Sequence, residues 1–248
     1  GPAVLSKWLL SFLNKRTQFV KIGDQISKCV AVNAGAPQGT RAGPNCFKLL
    51  ISDLTFSIPY VKYVDDVSLL SISHDFSDDN LQQALCYLQS WCNLNGMQLN
   101  TKKTKEMILK FSKRVRTDLC TPLVYDCAVI DRVEEFKILG IMVSSDLTWS
   151  RHVDYIVARA NKRIFAICRL VRCGFDHKDI VTVYCSLIRP VLEYASQVWH
   201  CGLTRTLSDE IERVQRRCLH IIYPRLSYSH VLAVSGLQLL STRLKMLW

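Results

Sequence analysis

The sequence predicts an α+β fold, and three observations predict it. Short β-rich runs alternate with helical periodicity up to about Asp146. From there to the end, apolar residues recur only at helical spacing. Glycine and proline punctuate both stretches where such elements should stop. The pattern divides the chain into a mixed region at 1–145 and an all-helical region at 146–248.

Val4, Leu5, Trp8, Leu9, Phe12 and Leu13 place an amphipathic helix over 2–14. Thr17 to Ile22 and Ile26 to Val32 are β-rich runs joined by Gly23-Asp24, a hairpin signal. Residues 33–43 are loop chemistry. Pro44 then suits the first position of a helix whose apolar members are Phe47, Leu50, Ile51 and Leu54. Strands follow at 61–64 and 67–72. Ser77 caps a helix with Asp78 and Asp79 in its first turn, and the helix stops near Gly96. Further strands are expected at 106–111, 123–130 and 136–143. Ile156, Ala160, Ile164, Ile167 and Val171 begin a long helix. Helices at 178–188, 190–199, 207–222 and 231–247 come after it, with Gly174, Pro190, Gly202, Pro224 and Gly236 as punctuation. No internal repeat stands out.

The formal charge of +11 implies attraction to a polyanion, either nucleic acid or an anionic membrane surface. Lys102 to Asp118 holds seven Lys/Arg against two acids, and Arg151 to Arg225 thirteen against seven. Stripes of that kind suit phosphate contacts; a merely soluble basic surface is the plainer reading. Eleven cysteines without a CxxC pair or a targeting pattern point to free thiols in a reducing compartment, cytoplasmic or nuclear, and to a protein that is not secreted. His200-Cys201 with Cys218-Leu219-His220 can be drawn as a zinc site, but the spacing is not that of a finger or knuckle. Asn80 to Thr101 is uncharged and long enough to span a bilayer, yet its four Gln and four Asn exclude it from hydrocarbon, so no membrane association is expected. The first residue is Gly1 rather than Met, compatible with a fragment.

Two segments carry chemistry. Tyr63-Val64-Asp65-Asp66 sets two carboxylates side by side between apolar runs. Neighbouring strand residues face opposite ways, so the pair converges on one region only at a tight turn. Carboxylates are hard ligands suited to Mg²⁺, which takes one or two of them and fills its remaining positions with phosphate and water. Alone, the pair reads as a charged hairpin turn. Gly35-Ala36-Pro37-Gln38-Gly39-Thr40-Arg41-Ala42-Gly43-Pro44 is a loop leading into a helix. Its glycines permit close backbone approach, Pro37 stiffens it, Gln38 offers a donor and an acceptor, and the helix start presents free N–H groups to an anion. An ordinary strand-to-helix connection is the competing reading.

In order along the chain, these segments resemble the reverse transcriptases of non-LTR (LINE-like) retrotransposons. GAPQGTRAGP is similar to their palm motif B and YVDD to motif C. Gly96 to Thr104 resembles motif D, its Asn-x-x-Lys-Thr falling on Asn100, Lys103 and Thr104. Phe136 to Gly140 resembles the primer grip, Trp8 to Leu13 with Arg16 the stretch before motif B, and Arg189 to Ala195 with Trp199 a recurring thumb-side segment. Other right-hand polymerases, such as viral RNA-dependent enzymes, share the Asp pair but fit the loop and the thumb-side segment less well.

The resemblance implies a partial right-hand palm, an antiparallel sheet with helices, at 1–145 and a helical thumb at 146–248. It implies Asp65 as a metal ligand, Asp66 as its assistant or the holder of the hairpin, and Mg²⁺ or Mn²⁺ as cofactor. Gly35, Pro37, Gln38 and Gly39 would contact template and incoming deoxynucleotide, and Tyr63 would lie beside the primer end. RNA template and DNA primer are the implied partners, together with an N-terminal palm and fingers supplied from elsewhere. Lys103 would neutralise or protonate pyrophosphate, or is one of several solvated lysines. Phe136 to Gly140 would position the primer, or is a plain core strand. Trp91 and Trp199 read as core. The family's motif A, source of a further metal-binding Asp, has no match between Gly1 and Ala34, whose one acid, Asp24, is explained by its turn. The expectation is a chain inactive by itself, marginally stable or self-associating. A catalytically dead relic that keeps only nucleic-acid affinity is the alternative.

Overall fold

A computed structural model describes residues 2–32, 39–72, 80–109, 111 and 121–247. The class is α+β, with small two-stranded sheets and many helices. The chain divides into two compact units, Gly1–Gln98 and Leu99–Trp248.

The first unit opens with α1 (Pro2–Leu13), as its periodicity predicts, but Val4, Leu5, Trp8 and Leu10 are exposed. Trp8 and Phe12 stack on each other, ring centroids 5.3 Å apart. A long hairpin follows in two pieces. Strands β1 (Thr17–Gln18) and β4 (Val30–Ala31) pair antiparallel, as do β2 (Lys21–Ile22) and β3 (Gln25–Ile26), which turn about Gly23-Asp24. Between the pieces, three residues oppose two, a bulge held where Val20 N–H donates to Ser27 Oγ and Ser27 N–H to the Val20 carbonyl.

Helix α2 (Ala42–Leu50) begins two residues before the proline expected to start it. Pro44 is the third helical residue, where its missing N–H costs nothing because first-turn N–H groups have no intrahelical partner. The cap comes from Thr40, whose Oγ1 accepts from Gly43 N–H at 3.1 Å. Ile51 and Leu54, beyond the helix end, supply its buried contacts. Strands β5 (Tyr60–Tyr63) and β6 (Asp66–Leu69) form a hairpin, and α3 (Asn80–Leu94) packs Ala84, Leu85, Leu88, Trp91 and Cys92 inward. Ser77, Asp78 and Asp79 lie outside the described residues. The predicted stop at Gly96 is a Schellman cap: Gly96 takes φ +62°, its N–H meets the Asn93 carbonyl, and Met97 N–H meets that of Cys92.

In the second unit the predicted strand at 106–111 shrinks to β7 (Lys105–Glu106) among the described residues. The runs at 123–130 and 136–143 are hairpins rather than single strands. The first holds β8 (Val124–Tyr125) and β9 (Ala128–Val129), folded where Asp126 and Cys127 both adopt positive φ. After β10 (Asp131–Arg132), the second holds β11 (Glu135–Ile138) and β12 (Ile141–Ser144), folded at Leu139-Gly140 with φ of 47° and 90°. Strand β10 pairs in parallel with β7, reinforced by Lys105–Asp131 and Arg132–Glu106 ion pairs of 2.5 and 2.8 Å.

From Ser150 onward every element is helical, but the breaks differ from the expected ones. The long helix splits at Lys162-Arg163 into α4 (Ser150–Asn161) and α5 (Ile164–Arg172). Pro190 does not divide the next two helices. The chain runs from α6 (His177–Val183) through a π-turn (Tyr184–Ile188) into α7 (Arg189–Glu193), and the slip in hydrogen-bond register accommodates the proline. The Arg163 guanidinium donates to the Leu187 carbonyl inside that turn. The break falls at Tyr194-Ala195, where Ala195 takes φ 51° before α8 (Ser196–Trp199). Helix α9 (Arg205–Ile222) is capped by Thr204 Oγ1. The single helix expected at 231–247 is two, α10 (Tyr228–Ser235) and α11 (Leu240–Met246), separated by left-handed Gly236. These helices enclose a core around Val153, Ile167, Tyr184, Leu192, Trp199 and Leu219.

A buried polar cluster locks the last three helices. Glu212 accepts from the Tyr228 hydroxyl, from Gln215 Nε2 at 3.1 Å and from Leu240 N–H at 2.8 Å. Gln215 Oε1 accepts from the Tyr184 hydroxyl at 2.8 Å. Burial raises both tyrosine pKa values above the ordinary range and keeps these hydroxyls as donors.

Candidate active site

The β5–β6 hairpin puts Tyr63 opposite Asp66, with Val64 and Asp65 as a two-residue turn. Asp66 is therefore the first residue of a strand, and only Asp65 occupies the turn. Val64 takes φ +54°, as the first position of a tight hairpin turn requires, although a β-branched side chain resists it. The strain is borne where the carboxylates are displayed. Tyr63, Asp65 and Asp66 are all exposed, and neither carboxylate pairs with a cation among the described residues.

Lys62 holds this hairpin in place. Its ammonium donates to the carbonyls of Ile51 and Leu54 at 2.7 and 2.8 Å, capping the end of α2. Trp91 Nε1 donates to Asp53 in the same turn at 3.2 Å, and Phe56 packs edge-on against Tyr60 and Tyr87. The loop-following helix, the Asp hairpin and α3 thus share one small core. Neither Lys62 nor Asp53 stood out in the sequence, because each acts through a distant backbone carbonyl or side chain. Of the predicted loop contacts, Gly35, Pro37 and Gln38 lie outside the described residues. Gly39 is described, with φ +73°.

Lys103 belongs to the second unit. Asn100 Oδ1 accepts from Lys103 N–H at 3.2 Å, and the Asn100 carbonyl accepts from Thr104 N–H and Oγ1, both at 3.0 Å. The Asn-x-x-Lys-Thr spacing therefore builds a self-capped turn, and Lys103 is displayed exposed on it. Within the same unit two further segments meet. The Tyr194 hydroxyl donates to the Leu139 carbonyl at 2.9 Å, and its ring lies so close to Gly140 that a Cβ there would sit 3.0 Å from it. Trp199 Nε1 donates to the Tyr194 carbonyl at 3.0 Å. Trp91 and Trp199 are both core residues, as expected.

Among the described residues no cluster of three or more His, Cys, Asp or Glu could hold a metal. Burial pushes the Cys218 thiol of the drawn zinc site up to about 12. The ten described cysteines are free thiols. No helix among the described residues is long and apolar enough to cross a membrane.

Residues 3–143 match the family described as Reverse transcriptase (RNA-dependent DNA polymerase). The chain belongs to the reverse transcriptase family. The match covers the Asp hairpin, Lys103 and the β11–β12 turn, and the relatives place the chain with non-LTR retrotransposons, as the motif order implied. It is 24% identical over 239 residues to the probable RNA-directed DNA polymerase from transposon BS of Drosophila melanogaster, covering 89% of this chain and 26% of that protein. It is 27% identical over 212 residues to the RNA-directed DNA polymerase from mobile element jockey of the same organism, covering 80% and 23%. Against the type-1 retrotransposable element R1 Pol polyprotein of Bradysia coprophila it is 21% identical over 243 residues, covering 94% and 24%. The chain thus spans about a quarter of the length of the curated relatives it matches. No solved structure matches it.

Proposed function

We propose that this chain is the C-terminal palm and thumb portion of a non-LTR reverse transcriptase, with palm at 1–145 and thumb at 146–248. In the whole enzyme it would serve templated synthesis of DNA on RNA. The observation that carries the reading is the β5–β6 hairpin: two exposed carboxylates, without an ion pair among the described residues, on a hairpin anchored to the helix that follows the GAPQG segment.

The family uses divalent metals, and the donor set fits one in part. Asp65 and Asp66 offer hard oxygens to a Mg²⁺ or Mn²⁺ that completes its shell with water and nucleotide phosphate. When bound, such ions activate the primer hydroxyl and steady the leaving pyrophosphate. Asp65 is the direct ligand on this reading, and Asp66 assists while its backbone closes the strand pair. Tyr63 flanks the primer end, and the loop of Gly35, Pro37, Gln38 and Gly39 receives template and deoxynucleotide. Lys103 balances charge on pyrophosphate, which its Asn100–Thr104 turn supports by keeping the ammonium exposed. RNA template and DNA primer are the partners, in the cytoplasm or nucleus.

Two carboxylates on one hairpin are not a complete two-metal centre. Asp24, the sole acid in residues 1–34, sits at the tip of the β2–β3 hairpin. The 248 residues by themselves should therefore bind Mn²⁺ weakly and extend no primer. Paramagnetic broadening of amide signals during a Mn²⁺ titration tests the site. Broadening centred on 63–67 and lost in Asp65→Asn is expected; broadening centred elsewhere rejects the assignment. Templated primer extension by this chain alone would refute the inactivity. The second reading, a relic that only binds nucleic acid, is favoured by the same incomplete acid set. Restoration of synthesis on adding the N-terminal part of the element would exclude it.

A further inference from the structure

We infer that Lys62 is a positioning residue for the metal centre proposed at Asp65 and Asp66: its ammonium sets where those carboxylates stand relative to the end of α2. The inference rests on the metal reading of the pair. Successive side chains of a strand face opposite sides of its hairpin. Lys62 and Tyr60 are half-buried on the side facing the helices, with Val67 and Leu69 opposite them on β6. Val61, Tyr63, Asp66 and Ser68 form the exposed side. The ammonium therefore leaves the hairpin away from Tyr63 and Asp66. It acts on the carboxylates through the backbone that carries them.

The anchor is charged, close to the carboxylates and made to a fixed point. Lys62 pairs with Val67, one strand step of about 3.3 Å from the Tyr63–Asp66 pair that closes the turn. A displacement of the ammonium is thus passed to Asp65 and Asp66 over very little chain. Its bonds to the Ile51 and Leu54 carbonyls, at 2.7 and 2.8 Å, are charge-assisted, and they lie where the dipole of α2 is negative. The Tyr60 ring flanks the same ammonium, its centre 5.7 Å away. Lys62 forms no ion pair among the described residues. The turn that receives it is pinned from a second direction, because Trp91 Nε1 of α3 donates to Asp53 and Leu54 is buried. The hairpin needs such an anchor: among the described residues β5 and β6 pair only with each other, and a lone hairpin is marginal in water. At its other end, α2 follows the segment proposed to receive nucleotide, and its nine residues span about 13 Å. Through Lys62 the carboxylates follow that helix.

The test is a Mn²⁺ titration of the full chain, read by paramagnetic broadening of amide signals around Asp65 and run beside urea melts. K62M keeps the aliphatic stem and removes the ammonium. Loss of a neighbouring cation by itself tightens Mn²⁺ binding, whereas loss of alignment weakens it, so charge and positioning predict opposite signs. The expected result is an apparent Kd raised about tenfold, with broadening no longer centred on Asp65. K62R, whose guanidinium can donate to both carbonyls, should restore the Kd to within about threefold of the parent. L69A removes packing from the same side of the hairpin and leaves the anchor alone. It should lower the urea midpoint yet hold the Kd within about twofold. If the hairpin signals of K62M collapse, K62Q, which keeps an amide donor, takes its place and should raise the Kd at least about threefold. Unchanged or tighter binding on loss of the ammonium, or an equal loss in L69A, would overturn the role of Lys62 and leave the metal reading standing. A parent chain that shows no broadening around Asp65 would reject the metal reading, and the role of Lys62 with it.

Discussion

Trp8 and Trp199 occupy helices that the same apolar spacing predicts, yet one is 53% exposed and the other 0%. Trp8 stacks on Phe12 of its own helix. Trp199 packs at 5.3 Å against His152 and donates its indole N–H to the Tyr194 carbonyl. The contrast holds for the regions around them. The Asp hairpin and its anchors rest on a small core of seven buried residues from Ile51 to Cys92, whereas α4 to α11 enclose one that engages every helix but α8's outer face. Chemistry is displayed on short hairpins, and cohesion resides in the helices. Trp199→Ala should therefore cost about 4 kcal/mol, and Trp8→Ala no more than about 0.5. Denaturant midpoints read both; comparable losses would abolish the contrast.

His152 gives the helical region a pH dependence of its own. Its ring is fully buried beside Trp149 and Trp199, Nδ1 accepts from Met142 N–H at 3.3 Å, and Nε2 has no partner among the described residues. Burial lowers its pKa from 6.5 to about 4. Between those values the unfolded chain binds a proton that the folded chain refuses. Stability is complete above pH 6.5 and falls as pH drops toward 4, by up to about 3 kcal/mol. Urea melts across this range should show the slope in the parent and a flatter profile in His152→Phe. A parent whose stability is level from pH 7 to 4 would contradict the neutral buried ring.

The contact between Tyr194 and the Leu139-Gly140 turn is a smaller effect that joins a hairpin to the helical core. Gly140→Ala places a methyl 3.0 Å from the Tyr194 ring at a φ of 90°, and should cost about 2 kcal/mol. Tyr194→Phe keeps the ring and loses the bond to the Leu139 carbonyl, for about 1 kcal/mol. Because the residues touch, the double variant should cost less than the sum. Strict additivity would mean that the two segments are independent.

Much of this was legible in the residues. Gly23 and Gly96 punctuate the chain where the structure turns, and YVDD falls on a hairpin because apolar runs flank it on both sides. Two of the errors share a cause: backbone conformations that no glycine announces. Asp126-Cys127 folds back with both residues left-handed, and Ala195 breaks a helix that Pro190 was expected to divide. Glu212 reads as one more solvated charge on a helix until its buried partners are known, and Lys62 as an ordinary strand lysine until two helix-end carbonyls reach it. Local propensity carries the first kind of information; only tertiary contact carries the second.

Val64 offers the finest probe of the exposed region. Its left-handed φ of 54° costs an L-residue about 1–2 kcal/mol, and β-branching adds to this. Glycine removes that penalty but gives the unfolded chain more freedom to lose, roughly 0.5–1 kcal/mol. The difference favours Val64→Gly by about 0.5–1 kcal/mol, localised in a hairpin of four paired positions. Amide exchange at Ser68 and Leu70, whose N–H groups face the partner strand, should slow, while exchange in α9 stays unchanged because the two belong to separate compact units. Faster exchange in the hairpin would show that the valine side chain contributes packing worth more than its strain. A gain in hairpin order accompanied by weaker Mn²⁺ broadening at Asp65 would show instead that the strained backbone is what aims the carboxylate.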